Sequence, residues 1–340
     1  MLAVLAGCGG ESEPSQPASQ EGAGKPTLAV ALPASDELAL VDPEVGIVAR
    51  VPVGASPWGV AVADSTAYVS TARHLAIVDL ARRRVAARVR YRTTVGKPEV
   101  GESRAGGMGI AVAPDGDRIY VGVHPQGGGA GRLELIDAAR RKVVDAVPIG
   151  QRPFDVLVSR DGGTVYTIDH DSYGVSVVNT RTLAARAIAV APLGRGTFAK
   201  LHYGALDDSG RLLLPINGEV LVTLDTTSGA MGTRPLRSRV HQAGVVRAGD
   251  RLLTVGAEAL EGDRGPNLSV FDLTTGRERV IELDRPHEDI VASRDGRVAY
   301  LTGGFLRGGW KGITTVDLSD GSTSELELPE EPLGIALIGG

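Results

Sequence analysis

Cysteine is almost absent from this sequence, with a single residue, Cys8, among 340. One cysteine excludes an intrachain disulfide and a cysteine-based metal cluster. A basic excess is also absent, because 41 acidic residues outnumber 36 lysines and arginines and give a formal net charge of −5. Since nucleic-acid binding needs clustered positive charge against the phosphates, we expect no nucleic-acid partner.

Long apolar runs and aromatic residues are scarce as well. No apolar stretch reaches the ~18 residues of a membrane span, so we expect membrane contact only through an attached lipid. The sequence is instead rich in glycine, with 46 residues, about twice the usual ~7% share. No segment shows a sustained helical period, and 42% of the residues are hydrophobic. This composition is typical of a folded protein built from many short strands joined by tight turns.

The single cysteine ends the segment Leu5-Ala6-Gly7-Cys8. This segment resembles the lipobox of bacterial lipoproteins, in which the cysteine is lipidated and becomes the first residue of the mature protein. Residues 9–26 are rich in Gly, Ser, Pro, Gln and Glu, as is typical of a flexible tether. We therefore expect residues 1–8 to be the truncated end of a signal peptide and residues 27–340 to form one folded domain. The resemblance implies an exported protein, lipid-anchored on the periplasmic or cell-surface side of the membrane.

A short hydrophobic segment that ends in Asp or Asn recurs seven times, at intervals of about 40 to 60 residues. The seven copies are residues 38–42, 75–79, 133–137, 175–179, 220–225, 268–272 and 313–317. A typical copy follows a strand that begins after Pro or Gly, an Asp-Gly turn such as Asp115-Gly116, and a strand that contains Tyr. A further strand follows it. This pattern predicts an all-β fold, a seven-bladed β-propeller of four-stranded antiparallel blades.

The two ends of the domain complement each other in this pattern. The chain enters at residues 28–32, in a second-strand position, and leaves with residues 332–337, in a first-strand position. We therefore expect the N- and C-terminal strands to pair in one blade and close the ring. The repeated pattern, as in Pro57-Trp58-Gly59-Val60-Ala61-Val62, resembles the YVTN family of bacterial propellers over residues 27–338. That resemblance implies the fold, whereas propellers carry many functions.

Histidines recur near one end of the predicted channel. His202, His241 and His287 align at the start of the first strand, where other repeats have Trp58, Met108, Phe154 and Leu333. His124 and His170 share a second alignment position just after the second strand, next to Asp169. The start of the first strand and the end of the second lie on the same face of a propeller blade. We therefore expect these histidines to gather around one channel mouth.

Imidazoles from adjacent blades are suitable nitrogen ligands for zinc or copper. We expect His202, His241 and His287 as metal ligands, with His124, His170 and Asp169 as a supplementary set. Basic residues recur at the same mouth, with acids beside them, in the set Arg152, Lys200, Arg239, Arg285, Asp155 and Glu288. Because a cationic arc favours an anion, an anionic ligand, with or without a metal ion, is an open alternative. Simple structural packing of these side chains is another.

The histidine arrangement resembles periplasmic zinc-chaperone propellers, which deliver metal to the solute-binding protein of a transporter. It implies a non-catalytic metallochaperone whose partner is such a solute-binding protein or another envelope protein, and we expect a monomer. Two alternatives stay open. One is a propeller enzyme, similar to copper oxidoreductases or to lactonases, with His287 and Glu288 as general bases and Arg239 and Arg285 holding a carboxylate. The other is a non-catalytic interaction scaffold in the cell envelope.

Overall fold

The computed structural model describes residues 27–101, 104–195, 199–256, 265–304 and 309–339, and for residues 242 and 243 it describes the backbone only. Cys8 and the predicted tether therefore lie outside the described residues. Within the described ranges, no helix combines the length and the apolar character that crossing a membrane requires.

Seven sheets, each of four antiparallel strands, make up the described part of the chain, which confirms the predicted seven-bladed propeller. From the channel outward, blade 1 is β28 (Ile335–Leu337), β1 (Leu28–Leu32), β2 (Glu37–Asp42) and β3 (Gly46–Pro52). Blade 2 is β4 (Val60–Ala63), β5 (Thr66–Ser70), β6 (His74–Asp79) and β7 (Arg84–Arg90). Blade 3 is β8 (Gly106–Val112), β9 (Arg118–His124), β10 (Arg132–Asp137) and β11 (Lys142–Pro148).

The remaining four blades follow the same order. Blade 4 is β12 (Pro153–Val158), β13 (Thr164–Asp169), β14 (Gly174–Asn179) and β15 (Ala185–Ala189), with a 3-10 helix at His170–Ser172. Blade 5 is β16 (Ala205–Leu206), β17 (Leu212–Ile216), β18 (Val220–Leu224) and β19 (Met231–Pro235). Blade 6 is β20 (Gln242–Ala248), β21 (Arg251–Gly256), β22 (Asn267–Asp272) and β23 (Glu278–Glu282). Blade 7 is β24 (Asp289–Ala292), β25 (Val298–Thr302), β26 (Gly312–Asp317) and β27 (Thr323–Glu327).

The ring closes as the sequence predicts. The last strand, β28, pairs antiparallel with the first, β1, through Leu28 opposite Leu337, Ala29 opposite Ala336 and Val30 opposite Ile335. The first strands of most neighbouring blades also contact each other around the axis. Pairing the two ends of the domain in one blade leaves no open edge between the first and the last blade.

The hydrophobic core lies between blades. Seven clusters of buried apolar side chains each join two adjacent blades, and an eighth, which includes Trp58, Met108, Phe154 and Leu333, lies in the channel. Strand β1 is therefore buried along its whole length, because both of its faces meet a neighbouring blade. The outermost strands, such as β19, face solvent. Burial of these inter-blade surfaces is the main stabilising contribution.

The repeated acid that revealed the blades has a local structural role. Asp225 Oδ1 accepts a hydrogen bond from the backbone N–H of Thr227, and Asp317 Oδ1 accepts one from the N–H of Ser319. The corresponding residues of the other five blades accept a backbone hydrogen bond in the same way: Asp42, Asp79, Asp137, Asn179 and Asp272. Each carboxylate or amide closes the turn after the third strand. The repeated acids therefore belong to the turns and not to a functional site.

Candidate functional site

Three imidazole rings from three consecutive blades lie in contact at one end of the channel. The ring centroids of His170 and His202 are 4.6 Å apart, and those of His202 and His241 are 4.7 Å apart. His170 belongs to the 3-10 helix that follows β13, whereas His202 and His241 precede β16 and β20. We call these three side chains the imidazole cluster. It gathers residues that are distant in sequence because the propeller places every first strand around one axis.

His170 is oriented by a carboxylate. Its Nδ1 lies 2.8 Å from Oδ1 of Asp171, which also accepts a hydrogen bond of 2.7 Å from Nζ of Lys200 and forms an ion pair of 3.2 Å with Arg152. Burial raises the pKa of Asp171, but the hydrogen bonds from Lys200 and His170 outweigh burial and lower it. Asp171 therefore holds one nitrogen of His170 and leaves Nε2 for another partner.

The other two rings carry nitrogen atoms without a partner in the described part of the chain. Nε2 of His202 and Nδ1 of His241 are buried and accept or donate no hydrogen bond there. Burial lowers the pKa of all three rings, to about 4 for His170, and the neighbouring imidazoles lower that of His202 further. The rings are therefore neutral at pH 7, the form in which histidine binds metal ions.

The structure corrects the alignment of the first strands. Trp58, Phe154 and His202 share one level, as the alignment predicts. Val60 and Val156, two positions after Trp58 and Phe154, pair with the second strand at the same step, and continuing the β16 pairing by one residue puts the position two after His202 at that step. His287 precedes that level by one residue, and His241 precedes it by two. The pairing register shifts at the start of β8, β12 and β20, and sequence spacing does not show such irregularities. Tyr203, which the predicted site omits, packs with Trp58 and Phe154 in the channel.

Two of the predicted ligands lie apart from the cluster or are already engaged. Nε2 of His287 is 2.8 Å from Oγ1 of Thr314 in its own blade, and burial lowers its pKa to about 4. Asp169 accepts hydrogen bonds from the hydroxyls of Thr167 and Ser176, and burial raises its pKa to about 6. Thus His170 is in ring contact with His202, whereas Nε2 of His287 is hydrogen-bonded within its own blade.

The remaining predicted site residues surround the mouth in different ways. His124 ends β9 and is buried. Burial and the charge of Arg152 lower its pKa, and the charge of Asp171 raises it. Glu288 is buried, and Arg239 is exposed. Arg285 forms an ion pair of 3.3 Å with Glu325 and lies 4.6 Å from the ring centroid of Trp310. The predicted cationic arc is therefore largely paired: Arg152 and Lys200 share Asp171, and Arg285 has Glu325.

The described residues do not form a complete metal site as they stand. Among them, no group of three His, Cys, Asp or Glu side chains is arranged to hold a metal ion. The rings of the imidazole cluster contact each other edge to face, with interplanar angles of 66° and 83°. A metal ion would therefore require the rings to turn so that their nitrogens converge.

Comparisons with known proteins show the fold alone. No family model matches the chain, and no curated protein matches it. The hydrazine synthase of Kuenenia stuttgartiensis is 17% identical, with a TM-score of 0.63 over 77% of each chain. The dihydro-heme d1 dehydrogenase NirN, in complex with DHE, is 16% identical, with a TM-score of 0.58 over 96% of this chain and 78% of that one. The β-propeller domain of Myceliophteria thermophila Cps50 (Swd1) is 12% identical, with a TM-score of 0.64 over 82% of this chain and 88% of that one.

Proposed function

We propose that this propeller binds a transition-metal ion, zinc or copper, at the imidazole cluster, and that it is a binding protein of the cell envelope. The observation that carries the proposal is the contact of His170, His202 and His241 across three blades, with buried, unpartnered nitrogens on two of the rings. An unpartnered polar atom inside a protein is unfavourable unless a ligand satisfies it.

The donor set suits such an ion. His202 would contribute Nε2, His241 would contribute Nδ1, and His170 would contribute Nε2 while Asp171 holds its Nδ1. A carboxylate bound to the far nitrogen of a ligating histidine is a common arrangement at zinc sites. Zinc bonds to imidazole of about 2.1 Å at a tetrahedral angle separate two ligand nitrogens by about 3.4 Å. Rings whose centroids are 4.6 and 4.7 Å apart can reach that separation by rotation of the side chains.

The nearby positive charges do not prevent this. Lys200 and Arg152 both bind Asp171, so the cations closest to His170 are already paired with a carboxylate. The ion would exchange part of its hydration water for three neutral nitrogens, against the cost of ring rotation and of partial repulsion by the remaining positive charge. Copper accepts the same nitrogen ligands, so the donor set selects imidazole-binding metals and not calcium or magnesium.

Metal titration of the purified protein tests the proposal. We expect one equivalent of zinc or copper per chain, and loss of at least about tenfold in affinity for His202→Ala and for His241→Ala. His287→Gln is the control, since His287 is a buried histidine outside the imidazole cluster whose Nε2 is bound to Thr314, and its affinity should match that of the wild type. Stoichiometric binding that survives the combined His202→Ala and His241→Ala changes would refute the assignment.

The envelope location forms the second part of the proposal and rests on the sequence. Lipidation at Cys8 would tether the propeller to the membrane by the segment 9–26 and leave its ring free to meet a metal-accepting protein, such as a transporter's solute-binding protein. Incorporation of a labelled fatty acid into the protein in a bacterial host, and its loss in Cys8→Ser, is the expected result. Labelling that persists in Cys8→Ser contradicts the anchor.

A further inference from the structure

The first strands approach each other so closely around the channel that most of them have glycine at one level. A Cβ atom on Gly334 would lie 2.1 Å from the carbonyl oxygen of Trp58, and one on Gly109 would lie 2.6 Å from the backbone of Asp155. Four blades have glycine at this level, Gly59, Gly109, Gly244 and Gly334, and blade 5 has Tyr203. The other two blades have Asp155 and Asp289 instead. The narrow part of the channel thus contains two carboxylates and one tyrosine among four positions that have no side chain.

These two carboxylates line a cavity of about 130 Å³ on the propeller axis, to which all seven blades contribute residues. Oδ2 of Asp155 accepts a hydrogen bond of 3.1 Å from the N–H of Gly204, and Oδ2 of Asp289 accepts one of 3.2 Å from the N–H of Ile335. Each bond joins the acid to the next blade. Among the described residues that line the cavity there is no Lys, Arg or His. The buried guanidinium of Arg104 lies outside that lining, 5.1 Å from the ring centroid of Trp58.

Aromatic rings form another part of the cavity wall. Trp58 and Phe154 meet edge to face with centroids 5.7 Å apart, and Phe154 meets Tyr203 in the same way at 6.3 Å. All three line the cavity. A positive charge is attracted to the faces of such rings as well as to carboxylates. The wall therefore combines the two features that recognise a cation carrying apolar groups.

Burial makes the charged form of both acids unfavourable unless a cation accompanies it. It raises the pKa of Asp155 to about 6 and that of Asp289 to about 7, the latter with a contribution from Asp155. Burial and the carboxylates of Asp289, Glu288 and Asp155 raise the pKa of Tyr203 well above its usual value. An unpaired buried carboxylate is unfavourable, and a bound positive charge would relieve that penalty.

We propose that the channel cavity binds a small alkylammonium ion between the rings of Trp58, Phe154 and Tyr203 and the carboxylates of Asp155 and Asp289. A bare metal ion fits this wall poorly. Calcium needs six to eight oxygen ligands and magnesium keeps its hydration water, whereas most of the cavity wall is aromatic, aliphatic or glycine. The site is separate from the imidazole cluster, because Phe154 lies between them, with its ring 4.7 Å from His170 and 5.2 Å from His202.

Tetramethylammonium chloride is the probe, and Trp58 is the reporter. The chain has two tryptophans, Trp58 and Trp310. Trp310→Phe therefore leaves Trp58, in the cavity wall, as the only tryptophan. At pH 8 we expect a saturable change in its fluorescence with one binding site. Asp155→Asn and Asp289→Asn, made in this background, should each weaken binding by at least about tenfold. Asp169→Asn, a buried acid of blade 4 that does not line the cavity, is the matched control and should change the affinity less than twofold.

The outcomes separate this site from the metal site. His202→Ala, which should weaken metal binding by at least about tenfold, should leave tetramethylammonium binding intact, so either proposal can fail alone. Absence of saturable binding to the Trp310→Phe protein overturns the inference, even where the aspartate variants fail to fold. Binding that survives both Asp155→Asn and Asp289→Asn overturns it as well, and leaves these acids as links between blades. Saturable binding of calcium without tetramethylammonium would also contradict it.

Discussion

The buried histidine of blade 7 predicts how the stability of the propeller depends on pH. His287 is 1% exposed, and its pKa is lowered to about 4 by burial, whereas an unfolded chain titrates near 6.5. Between these values the unfolded state binds more protons, so stability is present above about pH 6.5 and is lost as the pH falls. At pH 5 the linkage relation gives a loss of about 2 kcal/mol from this one residue relative to pH 7.5.

Comparison of the wild type with His287→Gln isolates this contribution. Glutamine retains an amide near the position of Nε2, where it can meet Oγ1 of Thr314, but it does not titrate. The buried acids Asp155, Asp169 and Asp289 titrate in the opposite sense, because their pKa values are raised, but they are common to both proteins and cancel in the difference.

Urea unfolding at pH 7.5 and pH 5 measures the effect. The free energy of unfolding of the wild type, relative to His287→Gln, should fall by about 2 kcal/mol between the two pH values. The shift between the proteins at pH 7.5 itself is not predicted, since it contains the change in packing. An equal pH dependence in both proteins would refute the reasoning, because it would mean that His287 protonates as readily in the fold as in the unfolded chain.

Three further predictions follow from the ring. Gly334→Ala should destabilise the protein by about 1–3 kcal/mol in urea unfolding, because its Cβ would meet the backbone of Trp58. Gly232→Ala is the control, because a Cβ added there would have no neighbouring atom within 4 Å. Equal effects of the two substitutions would contradict the close approach at Gly334. Removal of residues 332–340 deletes β28 and should lower the melting temperature and broaden the transition; an unchanged melting curve would mean that closure adds nothing. Asp225→Ala should lower stability by about 1 kcal/mol through loss of the turn hydrogen bonds to Thr227 and Ser228, whereas exposed Asp284→Ala should be neutral.

The fold could be predicted from the sequence because each blade repeats the same local chemistry. A turn-closing acid, such as Asp272, ends the third strand of every repeat or is replaced by Asn179. A hairpin glycine such as Gly116 adopts the left-handed conformation, with φ +75°, that the turn requires. These signals are short-range and recur seven times, so the blade count and the closing strand could be read without coordinates.

The site could be predicted only in part, because it depends on details that spacing does not encode. The side of the propeller on which histidines collect followed from strand order, and His202 and His241 do meet there. The strand pairing places His287 one residue and His241 two residues before the level of His202, and a 3-10 turn brings His170 into contact with His202. Whether a ring nitrogen is bound, as Nε2 of His287 is, or unpartnered, as Nε2 of His202 is, depends on neighbours in other strands.

X-ray absorption spectroscopy of the zinc-loaded protein tests the proposed metal site most directly. Imidazole ligands in a tetrahedral site give Zn–N distances of about 2.0–2.1 Å with the outer-shell scattering of histidine rings. We predict two or three such imidazoles in the wild type and fewer in His202→Ala. A spectrum with oxygen neighbours alone, or one that His202→Ala leaves unchanged, would contradict metal binding at these rings.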